Sequence, residues 1–387
     1  MSTAARHLID PKSSGEIHTA DPQRLIDIEY KQRAVAEFLE SRQYDGLLLQ
    51  DPRNFAWFTS GADNSRGGSS ETTAALFITP EARVLMTGNA DSGQIFDQSV
   101  PGLGFQLKER PWHEPRSSLI EDVCRGRSVA SDLNVPGAHD VASQLVGLRN
   151  PLSAVECERM RELGRIVAHS VEATARHCEA GQTEAEIAGE VAHRLTKHQV
   201  LPERIQVCAD TQRWRYPHWS FGDAEVDLHC SIAVMGRRWG LCAGAARTVC
   251  FGKPPVELRG AYHRSMLLQA TGMYFSQPNW ELFEIWNRVQ RIYEKYGYPD
   301  EWQNADQAEI IGFFANEVPI VPNSEFRAAS RMAIYWHPSI GAAVSGDTVL
   351  IGDDGFELIT PMEGWPKLSI EVKGQRIFRP EILCREK

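Results

Sequence analysis

An α/β (α+β) chain of two domains, the second written twice around a pseudo-twofold axis, is the fold the sequence predicts, on three observations. Strand and helix signals alternate without long gaps as far as residue 150. The stretches AGQTEAEIAGEVAHRLTKHQ and SQPNWELFEIWNRVQRIYEKYG read as one helix–turn–helix unit repeated, each copy followed by strand signals. Between them, SIAVMGRRWGLCAGAARTVCFG (231–252) reads as two strands joined by a short turn. Alternation puts Cys242, Gly244, Ala246 and Thr248 on one face of that hairpin, and the face is nearly empty of side chains.

Residues 1–22 are polar and predict an arm without the apolar core of a secretory signal. The helical spacing of QRLIDIEYKQRAVAEFLESRQ predicts a helix over 23–43, and the apolar run that follows predicts a buried strand. Ala74–Thr79 and Arg83–Met86 predict strands either side of Pro80-Glu81. Further signals at Phe105–Lys108, Ser117–Cys124 and Val129–Leu133 complete a first domain over 23–150. At Asn150-Pro151-Leu152-Ser153 the proline disfavours helix before it, and Ser153 with Glu156 forms the pattern of a capping box. A second domain over 151–387 then opens with a helix at about 154–180 and a second helix after Gly181. Strands follow at 203–208 and 225–235, then the hairpin, then helices at about 257–273 and 280–296. Met332–Trp336, Thr348–Ile351 and Glu357–Thr360 predict the closing strands, with Asp353-Asp354-Gly355 as a hairpin turn.

The net charge of −10 argues against a nucleic-acid footprint, which needs a basic patch. The sequence holds no apolar run of about 18 residues, so no membrane span is expected. Eight cysteines, scattered without a CxxC pair, predict reduced thiols and a cytoplasmic protein.

Several pieces, in order, resemble the aminopeptidase P, prolidase and creatinase family. They are PLSAVECERMRELGRI, the AGQTEAEIAGEV turn, Tyr216-Pro217-His218, Ala246-Arg247-Thr248, IIGFFANEVP, IYWHPSIG and GDTVLIGDDGFELIT. The resemblance covers about 22–380 and implies a creatinase-like first domain, a pita-bread second domain and a homodimer. It also implies two divalent metals held by two aspartates, a histidine and two glutamates. Hard oxygen and imidazole donors of that kind suit a pair of ions sharing a bridging hydroxide. In this sequence the five positions fall on Ala233, Gly244, Glu309, His337 and Gly346, so all five are changed. A methyl group or a hydrogen binds no metal, and the family's two-metal peptidase chemistry is therefore not expected. No cofactor is expected. Creatinase is the metal-free member, with a histidine base and two glutamates on its substrate. The histidine corresponds to His218, but the glutamates fall on Ala246 and His337, so that clamp is missing too.

Three titratable groups remain on functional positions of the family: His218, Glu309 and His337. They suit a metal-free acid/base set with Glu309 orienting an imidazole, or a facial triad for one metal, or plain structural roles. Arg237 or Arg238, whichever faces the cleft, offers a fork for a substrate carboxylate, or is a solvated turn residue. Cys242 reads as a small buried hydrophobe sooner than a nucleophile, and Arg247 as a structural arginine under the sheet. The short side chains at Ala233, Gly244, Ala246 and Gly346 predict a wider, less charged cavity. Trp214, Trp219, Trp239 and Trp336 either stack on a ligand there or repack the space. By the family resemblance, Arg66 and the loop 60–70 reach over a neighbour's cleft.

Three functions follow. The first is a metal-free homologue of Xaa-Pro peptidases whose cleft binds a small nitrogenous molecule or short peptide. The second is a creatinase-like metal-free hydrolase or lyase using His218 with Glu309 and His337. The third is an Xaa-Pro peptidase with a rewired mononuclear site.

Overall fold

The structure is a computed structural model that describes residues 21–66, 69, 71–210 and 220–386. Helix α1 (Pro22–Arg42) starts where Asp21 accepts from the backbone N–H groups of Gln23 and Arg24. It precedes β1 (Gly46–Leu49), α2 (Pro52–Phe58), β2 (Ala74–Ile78), β3 (Arg83–Gly88) and β4 (Gln106–Arg110). Then come α3 (Arg116–Cys124), β5 (Val129–Ser131), β6 (His139–Asp140) and α4 (Val146–Arg149). The six strands form one mixed sheet in the order β4-β3-β2-β1-β5-β6. Its central strands β1 and β2 are buried along their whole length, which is why they read as continuous apolar runs.

The second half opens with α5 (Ala154–His177), on the expected Ser153/Glu156 capping box, and α6 (Glu184–Lys197). Strands β7 (Leu201–Ala209), β8 (His229–Arg238) and β9 (Leu241–Phe251) follow. The unit then repeats as α7 (Val256–Phe275), α8 (Leu282–Lys295), β10 (Ala308–Ile311), β11 (Val318–Pro319) and β12 (Ala333–Trp336). A small hairpin, β13 (Ser339–Ile340) with β14 (Ala343–Val344), leads into β15 (Gly346–Ile351) and β16 (Phe356–Leu358). The chain closes with β17 (Lys367–Val372), β18 (Gln375–Pro380) and β19 (Leu383–Arg385).

The large sheet runs β11-β10-β12-β15-β9-β8-β7, so the two copies mirror each other across a seam between β15 and β9. The copies match in detail. Thr183 and Glu281 each open their helix with a capping box, and each also makes an isolated strand bridge, to Glu225 and to Arg327. This is the pseudo-twofold domain that the repeated stretches predict and the pita-bread architecture that the family resemblance implies. The seam is thin, with β15 and β9 pairing only at Gly346–Ala246 and Asp347–Ala245. Thr348 Oγ1 extends it by donating to the Gly244 carbonyl (2.8 Å) and accepting from the Gly244 N–H (2.9 Å).

One boundary and one set of strands differ from expectation. The strand expected at 225–235 begins at His229 and runs to Arg238, because Asp210 accepts from the Asp227, Leu228 and His229 N–H groups and holds 227–228 as a bend ahead of the strand. The strands β17 to β19 were not expected, although β17 alternates along KLSIEV. β17 and β18 form a separate two-stranded ribbon, and β19 adds to the large sheet beside β9.

Candidate functional site

The helices and the site occupy opposite faces of the large sheet. A Cβ built on Gly236 would meet Val167 of α5, and one on Gly272 of α7 would meet the Trp336 ring. Alternation therefore turns Ala233 on β8 and Tyr335 on β12 to the other face, together with His337 just beyond β12. On the helix side lies a fully buried ionic cluster. Arg247 donates to Glu172 (3.0 Å) and Asp347 (2.9 Å), and Arg379 also pairs with Asp347. Thr360 donates to Asp347, and Gln269 accepts from Arg379 while donating to the Trp336 carbonyl. Arg247 thus has the structural place expected of it. The cluster pins the seam from below, one residue from Gly346 on β15 and from Ala246 on β9.

On the cleft side the vacated face has an occupant. A Cβ on Gly244 would fall 2.6 Å from the Tyr335 ring, and one on Gly346 would fall 2.5 Å from its hydroxyl oxygen. The phenol reaches across β15 to the seam and is 2% exposed. Beside it Ala233, Ala246 and Val344 make a small buried apolar cluster of their own. The Tyr335 ring stacks on the His337 imidazole with centroids 4.5 Å apart and planes at 17°. His337 Nε2 lies 2.7 Å from Glu309 Oε2, and both side chains are largely buried. Asp306, exposed and two residues before β10, joins them, so that Asp306, Glu309 and His337 each offer one donor atom within 4.8 Å of the others.

Two of the three expected titratable groups are therefore together. His218 lies outside the described residues, as do Trp214 and Trp219. Asp306 and Tyr335 were missed. Tyr335 had a signal, since it is two residues before His337 on one strand and so shares its face with a row of residues lacking side-chain bulk. Asp306 had none, because it precedes its strand in a loop.

The other expected site residues are engaged elsewhere. Arg237 pairs with Glu203 (3.0 Å) at the sheet edge, and Arg238 reaches back to Glu162 of α5 (2.8 Å). Arg66 pairs with Asp91 on the small sheet's side, and the glycines that follow it are outside the described residues. Trp336 corrects an expectation. It is wholly buried, its ring against Gly272 and its Nε1 donating to Ser276 Oγ, because it alternates with the two cleft-facing residues either side of it. Trp239 corrects another. With Gly240 it forms the hairpin tip, sandwiched under the Arg238 guanidinium (4.0 Å) and against Gly61 of the other half. Cys242 is fully buried, which pushes its thiol up to about 12 and leaves it without nucleophilic character.

A pair of metals does not fit these residues. Of the five positions that the resemblance implies, Ala233, Gly244 and Gly346 carry no donor atom, and the ring of Tyr335 stands where side chains at Gly244 and Gly346 would begin. The donor set of Asp306, Glu309 and His337 is that of one ion at most.

Comparison with known proteins agrees with this fold. Residues 158–354 match the model of metallopeptidase family M24. An uncharacterized peptidase of Staphylococcus aureus (strain bovine RF122 / ET3-1) is 22% identical over 355 residues, covering 85% of this chain and 98% of the relative. An Xaa-Pro dipeptidase from Bacillus anthracis superposes with a TM-score of 0.75 at 16% identity, over 92% of this chain and 100% of that one. The N-terminal domain of FACT complex subunit SPT16 from Cicer arietinum (chickpea) gives 0.69 at 13%, over 87% and 96%. Among the described residues no helix is long and apolar enough to cross a membrane. With residues 158–354, about half of its length, matching that family's model, the chain belongs to metallopeptidase family M24.

Proposed function

We propose that this chain is a metal-free homologue of the Xaa-Pro peptidases, its cleft kept for binding a small nitrogenous ligand. The observation that carries this is the Tyr335 ring filling the seam between Gly244 and Gly346. The neighbouring Asp306 and Glu309 carboxylates, with His337, suit a ligand that brings a cationic nitrogen. The chickpea protein, named as a complex subunit and not as a peptidase, supports a binding role on this fold.

The test is metal content after purification without chelator, with Xaa-Pro dipeptide cleavage assayed alongside in added manganese or cobalt. Less than about a tenth of an equivalent and no cleavage support the reading, since the two-metal route needs its ions. Two equivalents with cleavage overturn it.

A second reading is favoured by the 2.7 Å contact of His337 with Glu309. A carboxylate that fixes one imidazole nitrogen prepares the other for proton transfer, and a metal-free hydrolase or lyase follows. It predicts turnover in a screen of amides and amidines. It also predicts a loss of about 10²–10⁴-fold in a folded His337→Ala variant, the usual worth of a general base. A silent screen beside tight ligand binding excludes it.

A further inference from the structure

We infer that Tyr335 is what bars metal from this centre, so that the lost ligands and the tyrosine are one coupled change. The inference goes beyond the absence of donors. A metal ligand at Gly244 or Gly346 must begin with a Cβ, and at both positions that atom would lie 2.5–2.6 Å from Tyr335. Non-bonded carbons settle at about 3.5–4.0 Å, so the ring has to leave before either carboxylate can enter. It has no easy exit. The ring is buried, stacked on His337, and His337 is held by Glu309. At Gly346 the added atom would also lie 2.8 Å from Ala246 Cβ, so the seam itself is drawn tight around the phenol. Donor restoration alone therefore leaves the centre closed.

The inference rests on the metal-free reading, and its experiment is separable from it. In the first arm, Gly244→Ala and Gly346→Ala are each made in the wild-type chain and in Tyr335→Ala, and the melting temperatures are compared. Each is expected to lower Tm by on the order of 5 °C beside the tyrosine, as overpacking does; without it Gly244→Ala loses most of that penalty, and Gly346→Ala loses the part not set by Ala246. Equal penalties in both backgrounds overturn the inference.

In the second arm, Ala233→Asp, Gly244→Asp, Glu309→His, His337→Glu and Gly346→Glu are combined, with Tyr335 kept or changed to Thr, and folding is confirmed by circular dichroism. After equilibration with cobalt(II), the chain that keeps Tyr335 is expected to hold under about a tenth of an equivalent, and the chain without it about two. Two equivalents with Tyr335 in place overturn the inference, and so does an empty site in the chain that lacks it. If the five-site chain with Tyr335 does not fold while the six-site chain does, the barrier is the ring and the inference stands. If neither folds, the first arm decides. Wild-type metal content, measured in parallel, tests the function alone, whereas both arms read only the engineered chains.

Discussion

At the scale of single residues, the chain's chemistry is set by which groups burial has silenced and which it has sharpened. Asp132 is the clearest case of the second. It accepts from the Gln50 and Asp51 N–H groups and the Asn54 amide, yet burial outweighs these contacts and raises its carboxyl to about 6. An acid whose folded value lies above its unfolded value near 3.9 binds its proton more tightly in the native state. Stability should therefore fall as pH rises from about 4 to about 6, by roughly 3 kcal/mol from this group. Urea unfolding across that range should show the slope in the wild type and a flatter curve in Asp132→Asn. Cys242 is silenced by the same physics, and the native chain should leave it unlabelled by iodoacetamide at pH 8 while the unfolded chain reacts. Glu309 and His337 were legible as residues of interest because the family pattern marks their positions. That Glu309 orients an imidazole is one of the readings the sequence leaves open, but that the imidazole is His337, at 2.7 Å through Nε2, was not legible, since it depends on rotamers set by the Tyr335 ring.

At the scale of elements, what was legible follows from period and punctuation. The capping boxes at Ser153 and Thr183 stand in the sequence as short local patterns, and the structure makes both. The hairpin was legible for the same reason, as two alternating runs around a turn. Its tip was not. Trp239 and Gly240 both have positive φ, 53° and 79°, the pattern of a two-residue turn that matches strand twist. A tryptophan is an uncommon choice there, and the stacking of Arg238 on its ring is what the sequence alone did not show. A Cβ on Gly240 would collide with Ala56 and crowd Phe313 as well as strain the turn. Gly240→Ala should accordingly cost about 1–3 kcal/mol in chemical denaturation. Trp336 shows the limit of reading an aromatic near a site. A shift of one position along a strand moves a side chain to the opposite face, and only the pairing register decides which face holds the helices.

At the scale of the whole molecule, the two sheets are bound by charges that water does not reach. Lys31 of α1 lies between Asp27 and Glu156 of α5, 2.6 Å from each, and Arg149 grips Glu317 at 2.6 Å while donating to Asn54. Asp27 and Lys31 stand four apart on α1, but no sequence pattern announces Lys31 with Glu156 or Arg149 with Glu317, because the members are far apart, the latter pair by 168 positions. Breaking one leaves its partner buried and uncompensated, which typically costs about 3–5 kcal/mol. Glu317→Ala should lower stability by that amount, and fluorescence and calorimetry should still report one transition if the sheets melt together.

The phenol at the seam has a last consequence, for how the molecule fares when nutrients change. A centre completed by ions gains stability by mass action, in proportion to how far their free concentration exceeds the dissociation constant. On the metal-free reading proposed above, the corresponding volume is filled by the Tyr335 side chain, delivered at translation, in stoichiometric amount and without a transporter. Thermal unfolding should be the same with and without EDTA, and the folded chain should persist at full level in cells grown without manganese, iron or zinc.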